Sequence, residues 1–151
     1  MMSDEESESC EFPDHPNDPE LIKKVITSYK TIAIVGISKK QERDSHMVAA
    51  YMQKHGYRIV PVNPTADEIL GERCYHSLAE IPFEVDVIDV FRKPSTLPAL
   101  ANDIVGMANK PKAVWFQIGV VNNEASKIVS SAGIEVVQNR CMKVEHIRMT
   151  A

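Results

Sequence analysis

From Gly36 to Ser45 the chain reads Gly-Ile-Ser-Lys-Lys-Gln-Glu-Arg-Asp-Ser, between a β-branched run and a helix-like one. Gly36 permits close backbone approach, Ser38 and Ser45 offer hydroxyls, and Arg43 offers a forked cation. Ahead of a helix, whose free N–H groups already favour anions, that set describes a phosphate cradle. An ordinary glycine turn capped by Asp44 or Ser45 would account for a single glycine equally well. Two standard nucleotide motifs are excluded. The second and third glycines of G-x-G-x-x-G are missing, and Val62-Asn63-Pro64 stands where a ribose-binding acid would be wanted, so a standard NAD site is not expected. No Gly-Lys-Ser/Thr triplet makes a Walker loop.

Other groups are weaker candidates for chemistry. Cys141, Glu145 and His146 read as a nucleophile with an acid and a base, or as metal ligands, and Arg140 beside the thiol would lower its pKa. Against this, cysteine is among the most buried residues and the spacing matches no known ligand set. Asp86 and Asp89 stand three apart on a strand-like run and point to opposite faces, which rules out a close carboxylate pair. Asp89 is expected to orient a loop or pair with Arg92, with Asp86 near the strand's N-terminal end. Trp115 and Phe116 alternate along a buried strand and are expected in the core. Histidines 15, 46, 55, 76 and 146 are scattered. His46 alone lies near the cradle, and it is expected to be a surface or packing residue.

Five short apolar runs must position these groups: Thr31 to Val35, Arg58 to Val62, Val85 to Phe91, Ala113 to Phe116 and Ile134 to Val137. Their near-continuous apolar character implies burial on both faces, as in a parallel sheet. Helix-like periods fall at Pro19 to Ser28, Asp44 to His55, Pro94 to Asn109 and Asn122 to Ala132, with Thr65 to Pro82 less regular. The alternation predicts an α/β fold, a three-layer sandwich around a parallel sheet of about five strands. Ligands of such sheets bind beyond the C-terminal strand ends. Seven of the 17 cations (Lys39, Lys40, Arg43, Arg92, Lys93, Arg140, Lys143) follow strand ends on that edge, together with Gln117, Gly119 and Asn139. Lys54, Arg58, Lys110 and Lys112 lie on the opposite edge, so charge alone does not choose the side.

The length of 151 residues suits one core and is too short for two ordinary domains. Residues 1–20 carry a charge of −8 and the remainder +4, so bulk charge gives no support to nucleic-acid binding. Residues 1–19 hold few apolar groups and are expected to be a disordered acidic tail before a domain spanning 20–151. No apolar run is long enough to cross a membrane and the acidic start is unlike a signal peptide, from which a cytoplasmic protein is expected. Three cysteines without C-x-x-C spacing suggest neither a disulfide framework nor a zinc finger, and no metal site is expected.

Gly36-Ile-Ser38 with Arg43 and Ser45, Arg58-Ile-Val-Pro-Val-Asn-Pro64, Asp86 to Arg92, Trp115 to Gly119 and Asn139 to His146 together resemble the small stand-alone CoA-binding domain proteins. These in turn are similar to the N-terminal domain of the succinyl-CoA synthetase α subunit. The resemblance covers about residues 20–149 and implies a Rossmann-like sheet that binds coenzyme A. It places the phosphates at Gly36, Ile37, Ser38, Lys39 and Arg43, with Ser45 in the same motif. The adenosine would lie near Val62, Asn63 and Pro64, and the pantetheine near Val90, Phe91 and Arg92. Gln117, Gly119, Asn139 and Arg140 would complete the rim. Where the family often has Pro before its Arg, this chain has Gln41-Glu42. The succinyl-CoA synthetase relatives use a phosphorylated histidine and a second domain for which this chain has no room.

The expected function is therefore binding of CoA or acyl-CoA without chemistry of its own. The alternatives are a nucleotide-dependent oxidoreductase, a thiol-based acyl transferase centred on Cys141, or a regulatory subunit docked through the acidic tail. A protein partner or a homo-oligomer stays open.

Overall fold

The structure, a computed structural model, describes Pro13 and residues 17–150. Most of the acidic segment therefore lies outside the described residues, as does Cys10. Seven strands run β1 (Thr31–Val35), β2 (Arg58–Val62), β3 (Glu68–Ile69), β4 (Glu72–Arg73), β5 (Val87–Val90), β6 (Ala113–Phe116) and β7 (Glu135–Val137). The helices are α1 (Pro19–Ser28), α2 (Asp44–Lys54), α3 (Leu97–Val105), α4 (Asn123–Ser131) and α5 (Met142–Thr150).

Five strands form one parallel sheet in the order β2-β1-β5-β6-β7, and β3 and β4 make a separate antiparallel pair. Alternation along each strand feeds two cores. Ile32, Ile34, Val87 and Trp115 pack with α1, α2 and α5, whereas Ala33, Val35, Ile88, Val90 and Phe116 pack with α3 and α4. The three-layer α/β arrangement is thus as the sequence predicts. Each fully buried Ile or Phe in these layers contributes about 1.5–3 kcal/mol.

One feature differs from the sequence reading, and another fills in a link that it left irregular. A fifth helix follows β7; it was invisible because its apolar residues do not collect on one face. Glu145 and His146 turn inward while Val144 and Ile147 stand in solvent. The crossover from β2 to β5, read as irregular, contains no α-helix but holds the β3–β4 hairpin and a single 3-10 turn at Leu78–Glu80. Asn17 exchanges two hydrogen bonds with the backbone of Gln138, Nδ2 donating to O at 2.6 Å and Oδ1 accepting from N at 2.9 Å. Asp18 then caps α1 by accepting from Glu20 N at 2.9 Å.

Asp86 sits at the start of β5 as expected. Its carboxylate accepts from the amides of Lys30 and Thr31 and from Lys112 Nζ, tying three neighbouring segments at the N-terminal edge. The expected pairing of Asp89 with Arg92 is corrected. Asp89 is fully buried in mid-strand and neither carboxylate oxygen has a hydrogen-bond partner, so it does not pair with the exposed Arg92. Arg92 lies beyond the end of β5 and is exposed, whereas Asp89 is buried within the strand.

Candidate functional site

The sheet changes direction between β1 and β5: the chain leaves β1 to one side to form β2 and returns to the other to form β5. A crevice opens at such a switch point, beyond the C-terminal strand ends. The loop after β1 and the loop after β5 meet there. Gly36 has φ 87°, and a Cβ on it would collide with the Phe91 carbonyl and press on Arg92 Cδ at 3.0 Å. Both the backbone angle and the contact require glycine.

The loop from Gly36 to Arg43 is held by its own hydroxyls and by its neighbours. Ser45 Oγ accepts from Ser38 N at 2.9 Å and Ser38 Oγ accepts from Lys40 N at 3.0 Å. Asn63 Nδ2 donates to Ile37 O at 2.8 Å, while Asn63 Oδ1 takes the amide and hydroxyl of Thr65. Lys39 Nζ reaches Thr65 O at 3.5 Å. His46, expected to be a surface or packing residue, is buried and its Nδ1 lies 2.9 Å from Ser38 O. Spacing gave no sign of this contact, because it exists only once the loop folds back over the first turn of α2.

That first turn carries no capping bond from its N-cap side chain, Arg43, whereas Asp18 caps α1 and Asn122 caps α4. The first turn of α2 lies beside Lys39 and Lys40, which are exposed, and Arg43, which is half-buried. The acids Glu42 and Asp44 are exposed in the same stretch.

Of the sequence-predicted residues, Gly36, Ile37, Ser38, Lys39, Arg43, Ser45 and Asn63 come together here. Ile37, Ser45, Val90 and Phe91 are buried, so Ile37 and Phe91 enter this region through their carbonyls and Ser45 acts by bracing Ser38. Gln117, Gly119, Asn139 and Arg140 form a second cluster at the ends of β6 and β7. Asn139 Oδ1 accepts from Gly119 N at 2.9 Å, Gln117 Oε1 accepts from Met142 N at 3.2 Å, and Arg140 O accepts from Trp115 Nε1 at 2.8 Å. With neighbouring strands about 4.8 Å apart, this cluster stands about 10–15 Å from β1 along the edge.

Val62, Pro64 and Arg92 border a groove of about 660 Å³ that sequence reading missed. Its walls are Leu78, Ile81 and Phe83 on one side and Leu100, Gly106 and Met107 on the other, with Val35 also contributing. The groove exists because no α-helix covers β1 and β2 on the face of α3. The segment from Thr65 to Pro82 signals this only by lacking a helical period.

The Cys141 constellation is not assembled. Glu145 is engaged by Arg148 Nη1 at 3.0 Å and His146 Nδ1 lies 2.8 Å from Tyr51 Oη. Burial, then His55 and Lys30, lowers the His146 pKa. Cys141 is free and packs partly against the core. Among the described residues no group of three or more His, Cys, Asp or Glu is placed to hold a metal ion, and no helix is long and apolar enough to cross a membrane.

Comparison with known proteins agrees with the geometry. The Bacillus subtilis (strain 168) protein YneT, uncharacterized, is 41% identical over 125 residues, covering 83% of this chain and 91% of that protein. A solved structure described as a hypothetical protein from Pyrococcus horikoshii OT3 superposes with a TM-score of 0.84 at 40% identity, covering 93% of this chain and 98% of the other. The ADP-forming acetate–CoA ligase of Methanocaldococcus jannaschii is 23% identical over 137 residues, which span 85% of this chain and 19% of the ligase. A family model described as a CoA binding domain matches residues 30–147, the whole of the parallel sheet and its switch point. By that match the chain belongs to the CoA binding domain family.

Proposed function

We propose that this protein binds coenzyme A or acyl-CoA at the C-terminal edge of the sheet and acts as a binding module in the cytoplasm. The observation that carries the reading is the uncapped start of α2 beside Gly36, where backbone N–H groups and the cations Lys39 and Arg43 suit a pyrophosphate. The adenosine would enter the groove at Val62, Asn63 and Pro64, and the pantetheine would cross Val90, Phe91 and Arg92 toward Gln117, Gly119, Asn139 and Arg140. The residues present fit such a ligand: a close-approach glycine, a helix start without a side-chain cap and an apolar groove adjoin one another. Binding without catalysis is favoured because Glu145 and His146 are engaged by Arg148 and Tyr51 rather than by Cys141. The domain would comprise α1 through α5 with the strands between them.

Thermal denaturation with and without nucleotide tests the reading. CoA is expected to raise Tm and NAD to leave it unchanged, since a ligand of the native state alone stabilises by mass action. Equal shifts from both would overturn the CoA assignment.

A further inference from the structure

Ile118 is 61% exposed, more than Met47, Val144 or Ile147, the other large apolar side chains that stand in solvent among the described residues. One exposed isoleucine is ordinary. Ile118 is set apart by a backbone that cannot turn it away. Val120 N donates to Gln117 O at 2.9 Å and Gly119 has φ 81°, which closes a type II turn with Ile118 in its second position. The turn is fixed on each side: Gln117 N donates to Val90 O at 3.4 Å, Gln117 Oε1 accepts from Met142 N, and Gly119 N donates to Asn139 Oδ1.

The turn stands at the C-terminal end of β6. Met47 (46% exposed) lies in the first turn of α2 and Val144 (37%) in the first turn of α5, and both helices begin at this same edge. Exposed apolar groups thus gather where the sheet's ligand edge meets solvent. With adenosine in the groove beside β2 and phosphates at α2, the pantetheine has β5 and β6 to cross, a path of about 10 Å from β1. Its thiol end would emerge beside Ile118. A free thiol gains little from an isoleucine held in water; an apolar acyl chain gains by covering it.

Resting on the CoA reading, we infer that the ligand is an acyl thioester with an apolar chain, and that Ile118 favours it over free CoA. The test is calorimetry on the full chain and on Ile118→Ser with 3′,5′-ADP, CoA, acetyl-CoA, butyryl-CoA and hexanoyl-CoA. Serine is acceptable at the second position of this turn and the side chain replaced is exposed, so folding is not at issue. The wild type is expected to tighten by about twofold per added methylene, half of what full burial would give. Ile118→Ser is expected to flatten that series while holding 3′,5′-ADP and CoA within about twofold of wild type. A flat series in the wild type with CoA and 3′,5′-ADP both bound would overturn the inference and leave the CoA reading intact. A series that rises equally in the variant would remove Ile118 as the determinant. Failure of both CoA and 3′,5′-ADP to bind would overturn the CoA reading itself, and the inference with it.

Discussion

The loops after β1 and after β6 occupy equivalent places, each leading from a parallel strand into a helix at the same edge of the sheet. Their polar groups are treated differently. After β6, Asn122 Oδ1 accepts from Ala125 N at 2.9 Å and caps α4, its Nδ2 donates to Pro94 O at 3.0 Å, and Asn139 takes the amide of Gly119. After β1, the hydroxyls of Ser38 and Ser45 are spent on shaping the loop, and the helix starts from an arginine whose side chain gives no capping bond. One helix is capped by a side chain of its own loop, while the other receives no capping bond from its N-cap side chain. The difference sets the two loops apart without reference to charge, which lies on both edges of the sheet.

The largest break in this comparison is expected from Gly36→Ala. A side chain there must adopt φ 87° and meet the Phe91 carbonyl. Urea denaturation is expected to show a loss of about 2–4 kcal/mol, in the range of a strained backbone combined with overpacking, together with loss of CoA binding. Unchanged stability would mean that the two loops do not depend on this contact.

A matched pair sharpens the comparison. Arg43→Ala is expected to weaken CoA binding by about 1.5–3 kcal/mol, the range for hydrogen bonds to charged groups, and to lower its salt sensitivity. Asn122→Ala is expected to cost about 1 kcal/mol of stability through the lost cap and to leave CoA affinity alone. Calorimetry and denaturation on both variants would dissolve the distinction if the effects were exchanged.

The smallest effect lies under the open loop, in β5. Burial pushes the Asp89 carboxyl well above the ordinary carboxylate range. The folded protein therefore keeps a proton that the unfolded chain releases above about pH 3.8, and stability contributed by the neutral acid falls as pH rises beyond that value. Asp89→Asn carries no such proton. Between pH 4 and pH 8 the wild type is expected to lose stability relative to the variant, read as a growing difference between the two Tm curves as pH rises. Parallel curves would show that Asp89 does not titrate differently in the two states.

Much of this architecture was legible in the residues. Short β-branched runs gave the five parallel strands, since a strand buried on both faces has no other composition available. The loop from Gly36 was legible because glycine, hydroxyls and cations coincide just before a helix. The groove was not, because it is made by the absence of a helix between β2 and β5, and irregular segments have no period to read. Helix α5 was missed for the opposite reason: its inward Glu145 and His146 conceal the stripe that a surface helix normally displays. His46 is the packing residue that was expected, but its partner, the Ser38 carbonyl, was not legible because a loop conformation rather than spacing supplies it.

The two outer strands of the sheet have a consequence for solubility. At β2, Pro61 turns its carbonyl outward, where Tyr75 N donates to it at 3.0 Å, and its imino nitrogen has no hydrogen to offer an incoming strand. Just past β7, the Asn17 side-chain amide imitates a peptide group and occupies both the N–H and the carbonyl of Gln138. Each margin is thus partly plugged by the chain's own groups. An unfolded neighbour seeking a template for cross-strand pairing finds the Pro61 carbonyl and the Gln138 amide and carbonyl already taken, which disfavours edge pairing at these two points.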